Sequence, residues 1–62
     1  MSAWICEVYA TMKDNRIKSK DLAAKIGWSE QYLSVILNKK KEPAGAEEKV
    51  RAALAEMVRS AN

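Results

Sequence analysis

The chain contains no histidine and a single cysteine, Cys6. One thiolate supplies only a quarter of the ligands of a structural zinc, so no metal site is expected. A lone cysteine also excludes an internal disulfide. The serines stand isolated, no base accompanies them, and there is no Gly-rich phosphate loop; without a base–nucleophile pair no enzymatic activity is expected. Proline occurs once and glycine twice, at apparent turns. No apolar run is long enough to span a bilayer, and no basic segment leads an apolar stretch at the N-terminus. These absences predict no membrane partner, no cofactor, no small-molecule ligand and a cytoplasmic location.

What remains is 62 residues, nearly half hydrophobic and nearly a third charged, the composition of one small helical domain spanning 1–62. A chain of this size buries one core and no roofed catalytic pocket. Cys6, set among apolar residues, is expected to be a small core or interface hydrophobe, with a dimer-linking or redox thiol as the lesser alternative. The net charge of +3 is uneven. Between Lys13 and Lys41, eight basic residues face three acidic ones, a net +5; outside that window three basic residues face five acidic ones, a net −2. Such a concentration suits a polyphosphate partner, or else it is a solvated face that happens to be basic.

The positive window surrounds the most informative stretch, Ser19 to Asn38. Ser19 can cap a first helix whose apolar face is Leu22, Ala23 and Ile26. Gly27 can end that helix in a left-handed conformation. Ser29 can cap the next helix, and Leu33, Ile36 and Leu37 make its apolar stripe. Two short helices joined by a tight Gly turn form a helix-turn-helix.

These residues resemble the core motif of the Cro/repressor-type (XRE-like) helix-turn-helix family of phage and bacterial transcriptional regulators. Leu22-Ala23, Gly27, Trp28, Ser29, Leu33, Ile36, Asn38, the lysines 39 to 41 and Pro43 carry the resemblance, over about twenty-five central residues. It implies an all-α, lambda-repressor-like bundle of four or five helices that binds double-stranded DNA as a homodimer on paired half-sites, inside a bacterial or phage-infected cell. It carries direct base reading onto Glu30, Gln31, Ser34 and Val35. Phosphate or groove-edge contact falls on Ser29 and Tyr32, and on Ser19 and Lys20 at the front of the first helix of the pair. The tail of the motif adds Asn38 and the basic loop Lys39, Lys40 and Lys41, where three neutralised phosphates would contribute a log–log salt slope of about −2.7. Two positions depart from the family pattern. Glu30 brings a negative charge where Gln or Arg is common, and so is either a helix-dipole acid or a reader of cytosine. Lys39 stands where Gly usually follows Asn, so either Asn38 takes the left-handed turn or the loop starts differently.

The flanking segments supply cover. From Ser2, a possible cap, to about Asp14, the residues Ile5, Val8, Tyr9 and Met12 share a helical face with Trp4 on its flank. Ile17 is expected to reach inward from a connection crowded by Lys13, Arg16, Lys18 and Lys20. Trp28 should fill the space between the paired helices or cover their turn. After Pro43 and Gly45, a last helix offers Val50, Leu54, Met57 and Val58 to the core, pairs Glu47 with Arg51, and leaves Ala52, Ala53 and Ala55 as a flat side for a second subunit. A helical protein-interaction module, antitoxin-like or an adaptor, would use the same fold; its binding would show little salt dependence.

Overall fold

Four α-helices organise the residues that the computed structural model describes, 3–38 and 42–60: α1 (Ala3–Asp14), α2 (Ser19–Ile26), α3 (Glu30–Leu37) and α4 (Ala46–Ser60). The protein is all-α, as its periodicities predict. α4 packs against both α1 and α2, and α2 packs against α3. Ile5, Leu22, Leu33, Ile36, Val8 and Val50 are the large side chains most completely removed from water, and every helix contributes at least one of them.

α1 buries Ile5, Val8 and Met12 as expected, but the stripe is rotated. Trp4 is inside and Tyr9 is outside, 41% exposed. At about 100° per residue, Trp4 and Tyr9 flank the Ile5–Val8–Met12 line on opposite sides, and only one of them can share its burial. Cys6 follows Ile5 by one such step and is exposed, which corrects its expected place in the core. Ser2 lies outside the described residues.

α1 ends in a Schellman motif. Arg16 is left-handed at φ 55°. The Ile17 N–H donates to the Met12 carbonyl at 2.8 Å, and the Arg16 N–H to the Lys13 carbonyl at 3.3 Å. Ile17 then packs against the core from its half-buried position, as expected. Because Ile17 turns inward, the next helix starts sooner than the serine signal suggests. Lys18 is the N-cap of α2, with extended backbone and no side-chain cap bond, and Ser19 is the first helical residue rather than the cap.

α2 buries Leu22 and Ala23, keeps Ile26 half-buried, and stops at Gly27, left-handed at φ 95°. The Trp28 N–H reaches the Ala23 carbonyl at 2.9 Å, a second Schellman closure. The Ser29 hydroxyl oxygen accepts from the Tyr32 N–H at 3.1 Å, so α3 is capped as expected. Leu33, Ile36 and Leu37 face the core. Asn38 does not take a left-handed turn; its φ is −92°. Its amide nitrogen donates to the Ser34 carbonyl at 2.8 Å and to the Ser34 hydroxyl at 3.2 Å, which ties off the last turn within the ordinary right-handed region.

Pro43 and a left-handed Gly45 (φ 79°) lead into α4, and the Ala46 N–H donates to the Pro43 carbonyl. The buried face is Ala46, Val50, Ala53 and Leu54, with Met57 and Val58 half-buried. Ala53 is therefore a core residue, and the flat outer side is limited to Ala52 and Ala55. Small side chains at 46 and 53 allow close approach of α4 to its neighbours. Arg51 makes the expected i, i+4 bond to Glu47 at 2.8 Å and a second one to Glu7 of α1 at 2.7 Å. Its pKa is raised, first by the Glu7 hydrogen bond and then by that of Glu47.

Candidate nucleic-acid interface

The Ser29 cap and the Leu33–Ile36–Leu37 stripe fix the rotation of α3, and that rotation decides what α3 shows to solvent. Glu30, Gln31 and Ser34 are exposed, and Val35 is half-buried. All four line one open cleft, whose remaining walls are Ser19 at the start of α2, Tyr9 of α1 and Leu37. The cleft has a volume of about 470 Å³, close to the roughly 420 Å³ of the groove lined by Arg16, Asp21, Lys25 and Met57 and above the roughly 200 Å³ of the groove between α1 and α4. The side chains singled out for base reading thus share one concave surface with the start of the preceding helix.

The residues assigned to backbone contact are more dispersed. Ser19 lines the cleft, and Lys20 is exposed in the first turn of α2. The Ser29 hydroxyl is engaged by its own helix and keeps its proton to donate outward. Tyr32 is half-buried, its ring edge-on to Trp28 with centroids 5.0 Å apart at 87°. Trp28 itself packs against the core at the turn between the paired helices, in keeping with either expected role. Asn38 is folded back onto Ser34. Lys39, Lys40 and Lys41 lie outside the described residues.

The cations sort into two groups. Lys25 leans toward α4, 3.8 Å from Glu56, and Arg51 bridges Glu7 and Glu47. Lys13, Arg16, Lys18, Lys20, Lys49 and Arg59 are exposed, with no ion-pair partner among the described residues. The first four occupy the end of α1, the corner after it and the first turn of α2, interspersed with the exposed acids Asp14 and Asp21, while Lys49 and Arg59 lie on α4. The described part of α3 carries no basic residue, and its first turn is acidic through Glu30. The exposed face of α3 is thus neutral to acidic, and the corner before α2 is net basic.

Compared with protein families, curated proteins and solved structures, the chain matches none. Among the described residues there is no group of three or more His, Cys, Asp or Glu placed to hold a metal ion, and no helix long and apolar enough to cross a membrane. One residue of the cleft escaped the sequence reading. Tyr9 shares the helical spacing of Ile5, Val8 and Met12, and nothing in that spacing distinguishes the two flanks of the stripe.

Proposed function

We propose that the chain is a sequence-specific double-stranded DNA-binding transcriptional regulator, a prophage-type repressor or Cro-like protein that binds a paired-half-site operator as a homodimer. The observation that carries this reading is the convergence of Glu30, Gln31, Ser34 and Val35 on one open cleft fronted by Ser19. An α3 laid in a major groove presents these four side chains to base edges. Gln31 fits a bidentate pair with adenine, Glu30 accepts from a cytosine amine, and Val35 meets a thymine methyl. Lys18 and Lys20, next to Ser19 at the start of α2, are then the cations nearest in sequence to the cleft and the ones suited to a phosphate beside it. The likeness to Cro/repressor-type regulators supports the same assignment, and repression follows from occupancy of a promoter site.

The test is selection from a randomised duplex pool at two salt concentrations. The expected product is a near-palindromic site with half-sites about 34 Å apart. Gln31→Ala should then relax one base position by ~1–3 kcal/mol of discrimination. A second reading, a helical protein-interaction module, is favoured by the acidic first turn of α3. Equal weak binding to all sequences, or none at moderate salt, selects that reading.

A further inference from the structure

We infer that Tyr9 is a DNA-contacting residue, the third element of the reading surface, and that its phenol donates to a phosphate at the edge of the groove read by α3. The inference rests on the DNA-binding reading and adds to it a helix that the motif does not include. Tyr9 is the one large hydrophobic side chain exposed among the described residues. It is exposed on the wall of the cleft that holds Gln31, Ser34 and Val35 rather than on the far side of the molecule. Lys13, exposed, lies one helical turn further along α1, at i+4, and so shares a side of that helix with Tyr9.

The chemistry selects phosphate over base. A tyrosine offers one O–H donor and an apolar ring, a match for a phosphate oxygen with a deoxyribose beside it. In an intact duplex the base faces are already stacked, which leaves the ring no base to stack on without unstacking a step. Minor-groove wedges do this, but Tyr9 borders the surface that faces the major groove. A phosphate partner makes the contact independent of sequence, and a neutral donor displaces no counterion.

The experiment compares wild type, Tyr9→Phe and Lys13→Ala on the selected duplex and a scrambled duplex across a salt series, with thermal melts alongside. Tyr9→Phe keeps the ring and removes only the donor. The expected result is binding about tenfold weaker on both duplexes, the effect of one hydrogen bond to a charged group. Its salt slope and melting temperature should stay at wild-type values, whereas Lys13→Ala should lower the slope by about 0.9. Wild-type affinity in Tyr9→Phe overturns the contact. So does a loss confined to the selected site, which would make Tyr9 a base reader, or a lower melting temperature, which would make its hydroxyl structural. Wild-type protein that binds no duplex overturns the DNA reading itself, and the contact with it.

Discussion

The two corners of the chain, between α1 and α2 and between α2 and α3, repeat one geometry with different residues. Arg16 and Gly27 are left-handed. Ile17 and Trp28 follow, each half-buried, and each N–H closes onto a carbonyl five residues back, Met12 or Ala23. Lys18 and Ser29 come next as extended N-caps, at φ/ψ −89°/146° and −75°/156°. Every step is offset by eleven residues. The second corner is built from the residues that the geometry prefers: glycine where φ is positive and serine where a helix needs an acceptor. The first places arginine in the strained position and an uncapped lysine at the helix start. Both choices are less stable, and both add positive charge beside the start of α2. The difference separates what the turn needs from what a polyanion would need.

The largest expected effect probes what the corners share, the apolar residue at the middle. Trp28→Ala should cost about 2–3 kcal/mol and Ile17→Ala about 1–2 kcal/mol in urea denaturation, reduced from full-burial values because both are half-buried. No loss at Ile17 would mean that the first corner is not anchored as the second is. Next comes the left-handed position. An added Cβ at Gly27 meets nothing within 4 Å, so Gly27→Ala should cost the torsional penalty alone, ~1–2 kcal/mol, and Gly27→Asn should recover part of it. A loss well above that range in a thermal melt would reveal packing where the structure shows open space.

The caps separate the corners further. Ser29→Ala should cost about 1 kcal/mol, whereas Ser19→Ala should stay within about 0.5 kcal/mol, because Ser19 caps nothing. The smallest stability effects carry the opposite sign. Arg16→Gly relieves the left-handed strain but frees the unfolded chain, a net gain of about 0.5 kcal/mol; Lys18→Ser supplies the missing cap for a gain of about 0.5–1 kcal/mol. Each of these variants should melt higher yet bind DNA less tightly, with the salt slope reduced by about 0.9 per lost cation. Undiminished affinity in the double variant would show that this corner faces solvent and not phosphate.

The same comparison explains what could be read from residues alone. The α2–α3 corner was legible because Gly27 and Ser29 each signal their own conformation. The α1–α2 corner was not, because no residue type announces a left-handed arginine, and the available serine, Ser19, sits one place past the cap. The stripes of α2 and α3 followed from spacing. The rotation of α1 did not, since Trp4 and Tyr9 are equivalent flanks until α4 packs against one side. Subtracting the buried stripe of α3 leaves Glu30, Gln31, Tyr32, Ser34 and Val35 wholly or partly outside the core; base reading by four of them is what the family resemblance implies. Tyr9 comes to that cleft from another helix, and the bond between Arg51 and Glu7 joins residues 44 apart, so neither leaves a local trace.

α4 supplies Ala46, Val50, Ala53 and Leu54 to the core, all from the last third of the chain, and it packs against both α1 and α2. During synthesis, then, the first three helices emerge with Ile5, Val8 and Leu22 still uncovered, and no subset of them completes the interior. The fold closes only when α4 joins α1 and α2. Each molecule therefore passes through a vulnerable interval between translation and activity, in which holdases and proteases compete with α4 for the same apolar surface. If the chain acts by occupancy, as proposed, that competition contributes to the number of active copies as directly as transcription does.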